Sequence, residues 1–150
     1  MESATIDRID RAILDVLRVD GRISYQRLAD RVGLSPNATA ERVRRLQRSG
    51  VITGYRAVVD QARLGRGLEV LVDVVRSRHH DWEAFEAAVA ALPGVSEVLH
   101  VTGAADYQIR AALGGPGDID AFVRRLKDTD LGVARTETRL ILSRVEGSQL

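Results

Sequence analysis

The strongest constraint on how this chain can fold is a gap of only three residues between two helical segments. The first segment begins at Ser24 and ends at Gly33, and the second follows directly after "GLS" at 33–35. Ser35 can cap the free backbone N–H groups of the second helix, and Pro36 suits its first position, where the missing N–H costs nothing. Helices joined this tightly must cross at a steep angle. The sequence therefore predicts a helix-turn-helix.

A third helical segment precedes this pair. Asp7 is a suitable N-cap for it, and the helix is expected to end at Asp20-Gly21. Between these positions, apolar residues recur with the 3.6-residue period of a helix that buries one face: Ile9, Ile13 and Leu17. The first third of the chain is thus predicted to form a small three-helix domain.

Residues 51–67 lie between the three helices and the second half of the chain. The last of the three helices is expected to end at Gly50, and the alternation in "VITGYRAVVD", residues 51–60, indicates a short strand or wing. Residues 61–67, "QARLGRG", show no periodicity and are interpreted as a linker. The sequence therefore predicts a helix-turn-helix domain at 1–60 and a second domain at 68–150.

The second domain has a strand-helix-strand order that occurs twice. Strands are predicted at 68–76, 95–102, 107–113 and 133–145, and helices at 81–92 and 118–128. This order is the ferredoxin-like βαββαβ plan, so the whole chain is predicted to be an α+β protein. With both helices on one face of the sheet, the other face stays uncovered and presents either Leu71 and Val75 or the residues that alternate with them. We expect a second copy of the chain to cover it, which gives a homodimer.

Positive charge is concentrated in the helix-turn-helix. The chain has a formal net charge of +1, yet the stretch from Ser24 to Arg56 holds seven arginines against Asp30 and Glu41, a local charge of +5. The absence of cysteine argues against a disulfide framework and fits a reducing cytoplasm. No apolar run approaches the roughly 18 residues of a membrane span, and the first residues are too charged for a signal peptide.

The helix that begins after Ser35 is predicted to enter the major groove of double-stranded DNA. In this geometry the first turns of the helix meet base edges, while basic residues further along bind phosphates. The predicted DNA contacts are Ser24, Ser35, Asn37, Thr39, Arg42, Arg44, Arg45, Arg48 and Arg56. Three of these lie early enough in the helix to meet bases: Asn37, Thr39 and Arg42.

Glu41 is the one acidic residue in this basic helix. A carboxylate close to DNA phosphates is repelled by them. It is compatible with DNA binding if it pairs with Arg44 or Arg45, or if it accepts a hydrogen bond from a cytosine amine. The sequence leaves these alternatives open.

Two long stretches carry a family resemblance. They are "IDRIDRAILDVLRVDGRISYQRLADRVGLSPNATAERVRRLQRSGVITGYRAVVD" in the first domain and "LPGVSEVLHVTGAADYQIRAAL" in the second. With them, nearly the whole chain resembles the leucine-responsive regulator/AsnC, or feast-or-famine, transcription regulators. The resemblance implies a ferredoxin-like module that dimerises, assembles further into tetramers or octamers, and binds amino acids between dimers. Ser35-Pro36 and Arg42 match the family's recognition-helix pattern.

The resemblance also implies an amino-acid site in the loop after the second strand. Gly103 and Asp106-Tyr107 match the family's Gly-Asp-x-Asp-Tyr pattern, with Ala104 in place of the first acid. The backbone N–H groups of "TGAAD" suit a carboxylate, and Asp106 suits an ammonium group. The predicted effector contacts are Thr102, Gly103, Ala104, Ala105, Asp106, Tyr107, Thr136 and Thr138.

Three weaker patterns receive structural interpretations. His79-His80 lacks a matching ligand cluster, so Asp81 beside it is interpreted as a helix cap, and neither a metal nor another cofactor is expected. The run "GGPGD" lacks the lysine of a P-loop, and its Asp118 is interpreted as the cap of the next helix. His100 is expected on a sheet face or an interface, because no nucleophile with an orienting carboxylate accompanies it.

These observations favour a sequence-specific transcription regulator that binds DNA as a dimer or an assembly of dimers. Its DNA affinity is expected to respond to a small molecule, most simply an amino acid. One alternative is an architectural DNA-binding protein that ignores ligands. The other is a small-molecule sensor or enzyme that uses the ferredoxin-like half, although no catalytic constellation supports an enzyme.

Overall fold

The computed structural model describes residues 5–77, 81–128 and 131–145. The chain divides into two compact units, with the boundary between Val58 and Val59. The predicted linker at 61–67 contains a short 3-10 helix, Ala62–Leu64. Among the described residues, no helix has the length and apolar character needed to cross a bilayer.

The first unit contains three helices: α1 (Arg8–Val19), α2 (Tyr25–Val32) and α3 (Pro36–Arg48). The predicted caps Asp7 and Ser35 are confirmed, because their side chains accept hydrogen bonds from backbone N–H groups in the first turns of α1 and α3. Ser24, where the second helical segment was expected to begin, caps α2 in the same way. Gly33 ends α2 with a φ of +72°, a left-handed conformation that glycine adopts without strain. Local capping chemistry therefore sets the tight turn of the helix-turn-helix.

A small apolar core holds the three helices together. Its fully or almost fully buried members are Ile13, Leu28, Val43 and Leu46. The predicted apolar face of α1 is confirmed, since Ile9 and Leu17 pack half-buried against this core. Because every helix contributes to the same core, one face of α3 is buried and the opposite face is available to solvent.

Residues 51–60 contain no strand, so the predicted short strand is absent from this single chain. After α3 the chain bends at Val51-Ile52, where the N–H of Ile52 donates to the carbonyl of Leu46 at 3.0 Å. Residues 53–60 then run without helix or strand. An alternating sequence forms a strand only where a neighbour can pair with it, and no described segment pairs with this one.

The second unit is a four-stranded antiparallel sheet with two helices. In chain order its elements are β1 (Leu68–Arg76), α4 (Trp82–Ala90), β2 (Val95–His100), β3 (Tyr107–Leu113), α5 (Pro116–Asp128) and β4 (Val133–Leu140). The strands lie in the order β2-β3-β1-β4, and every neighbouring pair is antiparallel. The predicted ferredoxin-like order of elements is thereby confirmed.

Several predicted ends of these elements differ from the structure. Helix α4 ends at Ala90 instead of 92, strand β2 ends at His100 instead of 102, and strand β4 ends at Leu140 instead of 145. Helix α5 begins at Pro116, so Asp118 lies inside its first turn and is not its cap. Pro suits a first helical position, which places the start of α5 two residues earlier than the acidic residue suggested.

The cap of α4 is as predicted. The side chain of Asp81 accepts hydrogen bonds from the N–H groups of Glu83 and Ala84 at 2.9 and 3.3 Å. This contact satisfies donors that the first turn of a helix leaves free. The pair His79-His80, considered as a metal site, lies outside the described residues.

Alternation along β1 gives the sheet two different faces. Val70, Val72 and Val74 are fully buried and form one core cluster with residues of both helices. Leu71 and Val75 lie on the opposite face and are only partly buried, which decides between the two alternating sets that the sequence left open. The sheet therefore has a helix-covered face and an open face. Any site on the open face must be built from the strand positions that alternate with the buried valines.

Candidate functional site

The solvent-facing side of α3 carries a row of polar side chains. The buried side of the helix consists of Thr39, Ala40, Val43 and Leu46. On the other side, four exposed residues follow one another at intervals of three or four: Asn37, Glu41, Arg44 and Arg48. Residues at these intervals lie on one side of a helix. We call these four residues the polar row.

Asp10 of α1 fixes α3 from its buried side. The carboxylate of Asp10 is fully buried and accepts hydrogen bonds from Arg42 at 3.0 Å and from Arg45 at 2.5 Å. Arg42 also contacts Asp7 at 2.6 Å. Asp7 and Asp10 exchange backbone-to-carboxylate hydrogen bonds at 3.1 and 2.8 Å, which completes a capping box. One network therefore caps α1 and ties it to α3.

This network shifts the acid-base behaviour of its members. The pKa of Asp7 is lowered to about 2, first by the hydrogen bond from the N–H of Asp10 and then by the guanidinium of Arg42. Hydrogen bonds to the carboxylates of Asp7 and Asp10 raise the pKa of Arg42 above its ordinary value. Asp7 and Arg42 accordingly remain charged at neutral pH.

A cavity of about 280 Å³ opens on the uncovered face of the sheet. Its lining consists of Asp73, Val75, Val101, Thr102, Ala104, Ala105, Gln108, Arg135 and Glu137. These residues come from β1, β3, β4 and the loop that follows β2. The predicted effector loop thus contributes three of its small residues to a site whose charged groups lie on the strands.

The charged groups of this cavity differ in how fully they are paired. Asp73 accepts hydrogen bonds from Gln108 at 3.0 Å and from Arg139 at 2.6 Å, one on each carboxylate oxygen. Arg135 and Glu137 are exposed, and neither forms an ion pair within the described part of the chain. The cavity consequently offers one cation and one anion to a ligand.

Comparison with known proteins agrees with this division into two sites. Residues 6–53 match the model of a winged helix-turn-helix DNA-binding domain, and residues 69–150 match the Lrp/AsnC ligand-binding domain. The leucine-responsive regulatory protein of Salmonella typhimurium is 40% identical over 148 residues, which cover 95% of this chain and 88% of that protein. The chain belongs to the Lrp/AsnC family. It is a transcription regulator with a helix-turn-helix DNA-binding domain and a ligand-binding domain.

Solved structures of similar proteins extend this comparison to the fold. A transcriptional regulator from Neisseria meningitidis in complex with L-methionine has a TM-score of 0.90 and 27% identity, with 97% of this chain and 95% of that chain covered. The feast-or-famine regulatory protein of M. tuberculosis, also in complex with L-methionine, has a TM-score of 0.86 and 27% identity, with coverage of 97% and 98%. The Lrp/AsnC arrangement of elements is thus shared along nearly the whole chain.

Two predicted base contacts of this Lrp/AsnC chain are engaged within the helix-turn-helix domain. Thr39 is fully buried, and its hydroxyl donates to the carbonyl of Ser35 at 3.0 Å. The side chain of Arg42 is only 27% exposed, because the two carboxylates of α1 hold it. The other predicted DNA contacts are exposed: Ser24, Ser35, Asn37, Arg44, Arg45, Arg48 and Arg56. Arg45 is exposed in part while bound to Asp10.

The predicted effector threonines lie on the wrong side of the sheet. Thr136 pairs with Val74 and Thr138 with Val72, both of which face the helices. The residues between them point to the open face, which is why Arg135 and Glu137 line the cavity instead. A shift of one residue along a strand exchanges its two faces.

Tyr107 is a core residue and not an effector contact. It is fully buried, its hydroxyl donates to Glu86 at 2.6 Å, and its ring stacks on His100 with centroids 4.7 Å apart. Burial, followed by the hydrogen bond to Glu86, raises the pKa of Tyr107 to about 12. The ring of His100 also stacks on Trp82, so His100 belongs to this aromatic cluster at the sheet edge.

Asp106 holds the loop and does not line the described cavity. Its carboxylate accepts from the N–H of Arg76 at 2.7 Å, and its own N–H donates to the carbonyl of Val74 at 2.9 Å. One carboxylate oxygen of Asp106 is thus used within the fold, and its contact with an ammonium group stays a prediction. Gly103, also predicted, has a φ of +123° in the same loop and lies outside the cavity lining as well.

Sequence reasoning missed the charged residues that matter most at each site. Asp10 could have been found, because an acid three residues after an Asp cap is the signal of a capping box. Arg135 and Glu137 could have been found from the same alternation that identified β4, had the faces been assigned from the buried valines of β1.

Proposed function

We propose that this chain is a sequence-specific DNA-binding regulator, acting in the cytoplasm, whose assembly and DNA affinity respond to an amino acid. The observation that carries the DNA-binding part is the exposed polar row of α3. Its two cations, Arg44 and Arg48, have no ion-pair partner among the described residues. They are free to bind phosphates while Asn37, in the first turn, meets base edges.

Replacing Arg44 or Arg48 with alanine should weaken binding to all DNA sequences alike, because phosphate contacts carry no sequence information. The slope of log affinity against log salt concentration should fall by about 0.9 for each lost contact. Fluorescence anisotropy with two unrelated duplexes over a series of salt concentrations measures both effects.

Lys127→Ala is the matched control for these variants, because it removes an exposed cation from α5 in the other unit. It should leave the affinity and the salt slope unchanged. A wild-type affinity that does not vary with salt would contradict the assignment of α3 to DNA.

The ligand part of the proposal rests on the open-face cavity. A free amino acid carries a carboxylate and an ammonium group, and the cavity offers Arg135 to the first and Glu137 to the second. Val75, Val101 and Ala104 leave an apolar region for the amino-acid side chain. The complexes of two similar regulators with L-methionine support an amino acid as the ligand class.

The assembly part of the proposal rests on the open face around this cavity. Leu71 and Val75 on β1 are partly exposed there, and Leu99 on β2 is 40% exposed. A second copy of the chain can cover these residues in a two-fold contact, and pairs of dimers can form a tetramer or octamer. A ligand that binds one assembly more tightly shifts the population toward it and changes the spacing of the DNA-binding domains.

Leu71→Glu should convert a dimer to a monomer, because it places a charge in the buried contact. Analytical ultracentrifugation at micromolar concentration measures this change. Ala87→Glu is the control, since Ala87 is exposed on α4 and should leave the dimer intact. A wild-type protein that sediments as a monomer would contradict the two-fold contact.

The dimer further predicts an inverted-repeat operator with half-sites that lie about 10 base pairs, or a multiple of that, apart.

A further inference from the structure

Glu41 occupies the centre of the polar row of α3. It follows Asn37 by four residues and precedes Arg44 by three, and all three side chains are exposed. One helical turn advances about 5.4 Å, so Glu41 lies about one turn beyond the residue nearest the base edges. The carboxylate is therefore placed where a recognition helix still reaches into the groove.

The structure shows no ion pair for this carboxylate within the described part of the chain, although arginines lie within one turn of it. Arg45, its neighbour four residues on, is bound to the buried Asp10, and Arg42 is held by Asp7 and Asp10. Two of the neighbouring cations are thus engaged with carboxylates of α1, and Arg44, three residues beyond Glu41 in the polar row, forms no ion pair with it among the described residues.

A free carboxylate in this position favours one base chemistry. Carboxylate oxygens only accept hydrogen bonds, and cytosine presents its N4 amine to the major groove as a donor. Guanine presents two acceptors and thymine one, so both repel a carboxylate, while adenine places the N7 acceptor beside its amine. We propose that Glu41 is a specificity-determining residue that selects cytosine by accepting a hydrogen bond from its N4 amine. This inference rests on the proposed DNA-binding function.

The same charge makes an incorrect sequence unfavourable. If no cytosine lies opposite Glu41, the carboxylate loses its donor and remains close to acceptor atoms and phosphates. Removal of the charge should thus raise the affinity for unrelated DNA while lowering the preference for the correct site. A merely solvated carboxylate on the outer edge of the helix would not produce these two opposite changes.

The experiment begins with selection of bound duplexes from a random pool by the wild-type protein and by Glu41→Ala. The wild type should select a cytosine at one position of each half-site, and the variant should accept any base there. The selected duplex is then remade with a 2-pyrimidinone nucleoside, which lacks only the 4-amino group, at that cytosine. Wild-type affinity should fall about 5- to 150-fold, the range for one base contact. Glu41→Ala should show no change.

Glu83→Ala is the matched control, because it removes an exposed carboxylate from α4 in the other unit and changes the net charge equally. It should retain the wild-type preference and the wild-type response to 2-pyrimidinone. Glu41→Ala could instead bind every sequence more tightly and keep the wild-type preference for cytosine. That result would overturn the inference about Glu41 and leave the proposed DNA-binding function intact. Failure of the wild type to bind any duplex, even at low salt, would overturn the proposed DNA-binding function together with it.

Discussion

Asp10→Ala is expected to destabilise the helix-turn-helix domain by about 2–3 kcal/mol. Removing one member of a fully buried ion pair costs about 3–5 kcal/mol. The loss expected here is below that range because Arg42 and Arg45 are 27% and 47% exposed and can regain water. The substitution also removes the acceptor for the N–H of Asp7, which weakens the start of α1.

Two optical signals separate the two domains in this measurement. Trp82 is the only tryptophan and lies in the second unit, so its fluorescence follows the ferredoxin-like domain. Helical circular dichroism includes α1, α2 and α3 and follows the first domain as well. In urea, Asp10→Ala should shift the helical transition to lower denaturant and leave the Trp82 transition in place.

Asp15→Ala is the matched control on the same helix, because Asp15 is exposed and forms no ion pair within the described residues. Its effect should stay within about 0.5 kcal/mol, as for most surface substitutions. Equal losses for the two variants would show that Asp10 does not link α1 to α3.

Asp7 adds a pH test. Its folded pKa of about 2 lies below its usual 3.8, so its contribution to the stability of the fold is complete above pH 4 and is lost as the pH falls toward 2.

The parts of the fold that depend on neighbouring residues were predictable. Asp7 and Ser35 were correctly identified as caps, because a cap is decided by one side chain and the backbone N–H groups two or three residues later. The strand limits of β1 and β3 were also correct, since Val-rich alternation and flanking turn residues define them locally.

The errors concern interactions between distant residues. Arg42 was assigned to bases because its position on the helix is suitable, but two acids more than 30 residues away hold its guanidinium. Residues 51–60 alternate like a strand, yet pairing depends on a second segment that a local pattern does not specify. The tight turn was predictable from local sequence. The partners of the charged side chains of α3 could be identified only from the packed structure.

The effector site shows the same difference between local and distant information. Three residues of the loop "TGAAD" line the open-face cavity: Thr102, Ala104 and Ala105. The threonines of β4 were chosen without knowing which valines of β1 face the helices, and the register reverses that choice. The charged residues that line the cavity therefore come from the positions beside the predicted ones.

Arg135→Ala should weaken amino-acid binding about 10- to 150-fold. Arg135 is the cation of the cavity that has no described ion-pair partner, and a hydrogen bond to a charged group contributes about 1.5–3 kcal/mol. Each 1.4 kcal/mol corresponds to a tenfold change in affinity. Calorimetry against the twenty amino acids, with L-methionine first because two similar regulators bind it, measures the loss.

Residues of β4 alternate between the two faces of the sheet, and this supplies a control for the effect of Arg135→Ala. Thr138→Ala changes the same strand three residues away, but its side chain lies on the helix-covered face with Val72, so ligand affinity should be unchanged. Arg135→Lys should retain part of the affinity, because lysine keeps the charge and loses the two-point contact with a carboxylate. DNA affinity without ligand should be the same for all three variants, since α3 belongs to the other unit. If Thr138→Ala weakens binding as much as Arg135→Ala does, the ligand does not occupy the open-face cavity.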